Sequence, residues 1–222
     1  MSYLLEGYTI VMKIVKTSWS FEEPINGLEI MRKIERAGRT CYKSEDKISN
    51  ESALRFVNMI CHQYKHHSVL EHHSITVRVI CDRGISHEIV RHRIGAYSQE
   101  STRYCNYCKD KFDNEITVIQ PEHINNKSIE SVLAWEMVMK GLEKAYFEFL
   151  ADGWTPQEAR GILPTELKTE MVITYNLRQW RHFFQMRCAS QAHPQLRALT
   201  LPMLEGFKQQ IPVIFDDLNF KE

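Results

Sequence analysis

Between Ser74 and Cys81 every second residue is apolar. Ile75, Val77, Val79 and Cys81 fall on one side, and Ser74, Thr76, Arg78 and Ile80 on the other. A period of two is that of a strand with one face buried. Segments of helical period surround it. Asn26 followed three residues later by Glu29 has the spacing of a capping box, and Leu28, Met31, Ile34 and Glu35 continue one face to Gly38. Leu54, Val57, Ile60, Cys61 and Tyr64 predict a second helix over 50–64. Ile129, Val132, Leu133, Met139, Leu142, Tyr146, Phe149 and Leu150 mark a long third helix ending near Asp152-Gly153. Thr155-Pro156-Gln157-Glu158 is another capping box, and Asn176 to Arg187 and Met203 to Gln210 read as helices. Residues 8–16, 115–120 and 169–175 read as further strands. Asp82-Arg83-Gly84 turns the chain, and residues 85–94 form a short helix closed by Gly95, which places Glu88 near Arg91 and His92. Residues 95–106 read as an ordered loop, a usual place for functional groups.

Strands and helices alternate without Gly-x-Gly-x-x-Gly or a P-loop, which excludes the usual doubly wound nucleotide folds. No linker divides the 222 residues, so one domain over 1–222 is expected. Lys plus Arg and Asp plus Glu balance at 28 each, which argues against a nucleic-acid coat. No apolar run is long enough to span a bilayer, and the first residues lack the pattern of an export signal. Six cysteines in a chain of this size do not form a secreted disulfide framework. The expectation is a cytoplasmic, reduced protein.

The cations are concentrated. Arg91-His92-Arg93 is followed, after seven residues, by Ser101-Thr102-Arg103-Tyr104. Arginine offers oxyanions a planar fork of donors, so this stretch suits phosphate or carboxylate groups. A bare triplet beside a helix C-terminus could equally interact with the helix dipole. With Ser101 and Arg103 at this spacing, the segment resembles the signature of the flavin-dependent thymidylate synthases. Two further constellations match that family. In His66-His67-Ser68-Val69-Leu70-Glu71-His72-His73 a histidine stands two residues before a hydroxyl residue and then Glu-His. Arg160 stands before Leu163-Pro164, with Asn176, Arg178, His182 and Arg187 following.

The resemblance implies an α/β (α+β) protein with a central, mainly antiparallel sheet flanked by long helices, in the homotetrameric thymidylate-synthase-complementing fold. It implies reductive methylation of dUMP to dTMP, with methylenetetrahydrofolate as carbon donor and NADPH reducing FAD. His66, Ser68, Glu71, Arg91, His92, Arg93, Gln99, Asn176, Arg178 and His182 would line the flavin. Glu88, Arg91, Gln99, Glu100, Ser101, Arg103 and Arg160 would hold dUMP, with Arg160 reaching the phosphate on a neighbouring subunit. Arg187 is the implied catalytic residue, a fixed charge that favours loss of the uracil N3 proton. Three positions depart from common family members: Glu88 where many have Gln, His182 where some have Asn, and Gln191 where some have His. No metal site is implied. Two other readings stand beside this one, a zinc hydrolase built on the histidines of 66–73 and an RNA-binding module using 91–104. Cys105 and Cys108 read as plain thiols, and His62 and His73 as surface histidines.

Overall fold

The computed structural model describes residues 12–109 and 112–220. In chain order it comprises β1 (Lys13–Val15), β2 (Ser18–Phe21), α1 (Gly27–Thr40), α2 (Ser52–Asn58), β3 (Ser74–Asp82), α3 (Arg83–Ile89), β4 (Gly95–Gln99) and β5 (Thr117–Ile119). The long α4 (Ile129–Ala151), α5 (Pro156–Ala159), β6 (Lys168–Asn176), α6 (Leu177–Arg187), α7 (Pro194–Gln210) and α8 (Pro212–Phe215) complete it. Residues 8–11 of the first expected strand lie outside the described residues.

Four strands form one sheet in the order β2-β3-β6-β4. Thr76 meets Thr174 hydroxyl to hydroxyl at 2.9 Å, while the Arg83 N–H reaches the Leu167 carbonyl. As β3 advances β6 therefore retreats, and the pair is antiparallel. A separate two-stranded ladder pairs β1 with β5 in parallel, Ile14 opposite Val118. The sheet is thus antiparallel, as expected, with a small parallel ladder that the strand patterns did not signal.

The chain divides into two compact units whose boundaries fall between β1 and β2 and within β3, α3, β4 and β6. One, built from residues up to Thr17, Ile80–His87 and Gln99–Glu170, is centred on Tyr107, Ile116, Val118, Met139, Tyr146 and Leu167. Here α4 starts at the Ser128 cap, whose hydroxyl accepts from the Ser131 N–H, and the predicted Thr155 capping box is present with Pro156 at the first helical position. Most of the predicted α4 stripe faces inward, with Met139 and Tyr146 buried and Leu142, Phe149 and Leu150 packed against the core, whereas its first members Ile129 and Leu133 are exposed, as are Met137 and Val138.

The other unit, Ser18–Val79, Glu88–Ser98 and Met171–Glu222, is held by an aromatic core of Trp180, Phe183, Phe184, Phe207 and Phe215. Trp180 donates its indole N–H to the Ile75 carbonyl at 3.0 Å, so the largest core side chain carries no orphaned donor. Asn26 caps α1 by accepting from the Glu29 N–H, and Asn176 caps α6 by accepting from the Gln179 N–H at 2.8 Å. Helix α1 runs two residues past Gly38 and buries Ile30, Ile34 and Gly38 rather than Leu28. Gly38 is there for space, since a Cβ would stand 2.5 Å from the Phe56 ring. Helix α7 begins nine residues before the predicted start, because Pro194 opens it and Pro202 is accommodated inside it.

Candidate functional site

The expected helix over 85–94 ends at Ile89, and residues 95–99, expected as loop, form β4. Arg91-His92-Arg93 therefore lies in the connection between helix and strand. Ile94 closes that turn with φ of +65°, a left-handed backbone that a β-branched residue adopts only under constraint, and its side chain is 80% exposed. The constraint is visible. The Tyr97 hydroxyl donates to the His92 carbonyl and pairs with the Tyr175 hydroxyl at 2.6 Å, while Tyr175 reaches the Ile89 carbonyl at 3.4 Å. Gly95 packs flat on the Tyr175 ring, where a Cβ would come within 2.3 Å. Burial raises the affinity of both phenols for their protons, so the pair stays a neutral latch. No sequence motif marked Tyr97 or Tyr175.

Arg91 and Arg93 are exposed, and neither has an ion-pair partner among the described residues. His92 turns the other way and is buried. From the last turn of α6, Arg187 donates its Nε–H to His92 Nε2 at 2.8 Å. One terminal nitrogen donates to the Glu88 carboxylate at 2.8 Å and the other to the Glu88 carbonyl at 2.9 Å. The helical spacing pointed Glu88 at Arg91 and His92; its carboxylate instead binds Arg187. Burial first, then the positive charge of Arg187 and then His182, lower the His92 pKa to about 4. His92 is thus a neutral acceptor at ordinary pH. His182 meets its ring at 5.6 Å between centroids.

Glu71 and Arg178 satisfy each other at 2.6 Å, both on exposed positions. His66 and Ser68 line a cleft of about 710 Å³ together with Arg39, Cys41, Tyr42, Lys47, Phe56 and Tyr64. Tyr42 and Tyr64 are exposed, and Tyr64 stacks on His66 with centroids 5.6 Å apart. Exposed tyrosines, a lysine and an imidazole around a cleft of this size fit a planar aromatic ligand carrying negative charge. No motif or spacing groups Tyr42 with Tyr64. His62 and His73 prove partly buried, His62 lying 2.8 Å from the Val213 carbonyl.

The second group lies in the other unit. Gln99 is fixed by its amide, which donates to Ser86 at 3.0 Å and Thr169 at 3.1 Å. Glu100 is engaged by Lys168 at 3.0 Å and by the Tyr107 hydroxyl at 3.1 Å. Ser101 accepts from the Arg103 N–H at 3.3 Å. The Arg103 guanidinium donates to Gln157 at 2.8 Å and lies over the Tyr104 ring, and Arg160 donates to the Thr102 hydroxyl at 3.3 Å. Among the described residues both arginines thus touch only neutral acceptors, which leaves their charge available to an anion. Thr102 and Gln157 were not singled out by any motif. All six cysteines are free thiols, and burial raises Cys108 and pushes Cys61 and Cys188 up to about 11, against any thiolate nucleophile there. Among the described residues no three His, Cys, Asp or Glu side chains group as a metal site would require. Nor is any described helix long and apolar enough to cross a membrane.

Residues 28–213 match the protein family described as thymidylate synthase complementing protein. A flavin-dependent thymidylate synthase of Geobacter sulfurreducens is 34% identical over 188 residues, which cover 82% of this chain and 78% of that protein. One from Corynebacterium efficiens is 33% identical over 228 residues, covering 91% and 84%. One from Pyrococcus furiosus is 38% identical over 143 residues, covering 64% and 57%.

Proposed function

The chain belongs to the thymidylate synthase complementing protein family, and from that membership we propose that it is a flavin-dependent thymidylate synthase converting dUMP to dTMP. The observation that carries the reading is the meeting of Arg187 with His92, 95 positions apart in sequence, at the turn that bears Arg91 and Arg93. Methylenetetrahydrofolate is the proposed carbon donor, and NADPH, through FAD, the reductant. Bound in reduced form, the flavin supplies the hydride that completes the methyl group.

The chain's own residues hold the reactants and the charge. The cleft lined by His66 and Ser68, with Arg91 and Arg93 as unpaired cations, fits the aromatic and anionic parts of FAD. Asn176, Arg178, Glu71 and His182 complete that proposed set, and Arg178 would have to share its guanidinium between Glu71 and the cofactor. Ser101, Arg103 and Arg160 are the proposed phosphate ligands of dUMP, with Gln99 and Glu100 fixing the backbone from which Ser101 projects. Arg187 places a positive charge where the uracil ring gains electron density, which stabilises the N3 anion. Glu88, beside Arg187, would accept from the ring N–H rather than donate as a glutamine can.

Assembly as a homotetramer with shared sites is part of the same reading. The exposed apolar face of α4, Ile129, Leu133, Met137 and Val138, supports it, because such a face is commonly covered by another subunit. Visible absorbance of the purified protein tests the flavin, and mass spectrometry of the nucleotide product tests the reaction. A colourless protein that gains no flavin spectrum on addition of FAD, and forms no dTMP, overturns the proposal. Light scattering against four copies of the 26.2 kDa chain tests the assembly.

A further inference from the structure

His92 sits in the Arg-His-Arg motif between two exposed arginines, yet it does not share their environment. It is buried, edge-on to Phe183 at 4.9 Å, and its Nε2 accepts from Arg187 at 2.8 Å. That bond dictates the tautomer. A nitrogen accepting from a guanidinium holds no proton, so the ring's single proton lies on Nδ1. The Gln179 side-chain amide nitrogen lies 3.5 Å from Nδ1, at the outer limit of a hydrogen bond. With the amide oxygen turned toward the ring it is placed to receive that proton; oxygen and nitrogen of an amide are assigned by such partners.

Three acceptors then hold three faces of one guanidinium: His92 takes Nε–H, and the Glu88 carboxylate and carbonyl each take one terminal N–H. One N–H remains on each terminal nitrogen for a ligand. Of the three acceptors the Glu88 carboxylate is half exposed and can swing away, whereas His92 and the Glu88 carbonyl are fixed. The backbone around His92 is itself locked by Tyr97, whose hydroxyl donates to the His92 carbonyl.

We propose that His92 is a positioning residue for Arg187: its neutral imidazole fixes the plane of the guanidinium, a role that rests on the substrate contact proposed above for Arg187. The motif's middle residue then serves the nucleotide side of the reaction through Arg187, while its outer arginines remain free for anions. A protonated ring in this place could not accept and would repel the guanidinium.

The test compares His92→Leu, which removes the acceptor, with His92→Gln, which keeps a neutral one, each prepared as flavin-loaded enzyme. His92→Leu is expected to lower kcat about 10- to 100-fold while changing the KM for dUMP less than about threefold; His92→Gln is expected to stay within about fivefold of the parent. In an Arg187→Lys background, where Nε is absent, His92→Leu should cost less than about threefold more, because the pair acts as one unit. Flavin absorbance of each variant is measured first. Equal loss of bound flavin in both His92 variants would make His92 a cofactor ligand and overturn the proposal. Full additivity with Arg187→Lys overturns it too. If Arg187→Ala itself turns over normally, the substrate reading fails; if Arg187→Ala is inactive and His92→Leu is normal, only the positioning role fails.

Discussion

Replacing Arg187 by alanine removes a charge from the proposed reaction centre and three hydrogen bonds from the protein, and the two losses are measured separately. The Arg187 side chain is 17% exposed, so its charge is only weakly screened. A fixed donor of this kind, acting on charge that develops in the transition state, is worth about 3–4 kcal/mol, or a 10²- to 10³-fold fall in kcat. The structural loss is smaller. Glu88 is 47% exposed and rehydrates, so its part of the ion pair counts for less than about 1 kcal/mol. His92 is buried and loses its partner at Nε2, which costs about 1–3 kcal/mol. For a chain of this size each kcal/mol lowers Tm by about 2–4 °C. Arg187→Ala should therefore fold, hold flavin, melt several degrees lower, and form dTMP at least about a hundredfold more slowly at saturating nucleotide. Turnover within about threefold of the parent would show that the guanidinium meets no developing charge, and the assignment would fall. A Tm unchanged within error would refute the energetics assigned to His92.

Arg103→Ala and Arg160→Ala should each weaken dUMP binding by about 1.5–3 kcal/mol, since each removes a proposed charge-assisted phosphate contact from a guanidinium that, among the described residues, touches only neutral acceptors. Titration with deoxyuridine checks this: if it binds the parent as tightly as dUMP does, neither arginine is a phosphate ligand. Cys105→Ala, Cys108→Ala and Ser101→Ala should each keep measurable flavin-dependent activity, because no protein nucleophile is needed; a nucleotide adduct trapped on any of the three, with activity lost on its substitution, would refute that. His92 sets an acid limit to stability. Its folded pKa of about 4 lies below its ordinary 6.5, so between those values the unfolded chain takes up a proton that the folded one refuses. Its contribution is complete above about pH 6.5 and falls away toward pH 4, by about 2 kcal/mol at pH 5. Denaturant titrations at pH 7 and pH 5 should show this loss in the parent and much less of it in His92→Gln; identical curves would refute it.

Regular period made the strands at 74–82 and 168–176 and the caps at Asn26, Thr155 and Asn176 legible, because those signals are local. What local signals could not give was the partner of each residue. Residues 95–99 carry Gly, Ser and Gln and read as loop, yet pairing beside β6 makes them a strand. Along α4 the period found the inward Met139, Leu142, Tyr146, Phe149 and Leu150 but also took in Ile129 and Leu133, which are exposed, because an outward apolar residue carries the same local signal. At the site, the Ser101 and Arg103 spacing was visible, whereas the turn back of Arg187 onto His92 spans 95 residues and leaves no mark in spacing. Tyr97 and Tyr175 were invisible for the same reason, 78 residues apart and joined by their hydroxyls and an edge-on ring contact.

The arginines sort by partner in a way that composition conceals. The chain's formal net charge is zero, but its balance is not spread evenly. Arg91, Arg93, Arg103 and Arg160 have no carboxylate partner among the described residues, while Arg178 and Arg187 are each paired with one. An unpaired arginine keeps its water and yields it to an incoming phosphate, whose own charge replaces the missing partner. A paired and buried-edge arginine is different. Its net field is partly cancelled by Glu88, so it gains little from a dianion, but its N–H groups are aimed by fixed acceptors and can meet a planar, initially neutral base in one orientation. The same side chain thus suits the two proposed tasks according to what surrounds it: free cations for the anionic tails of the proposed nucleotide and cofactor, and a held one for the ring proposed to react. On this reasoning Glu88 is less a departure that weakens the site than the counter-charge that keeps Arg187 from serving as a phosphate clamp.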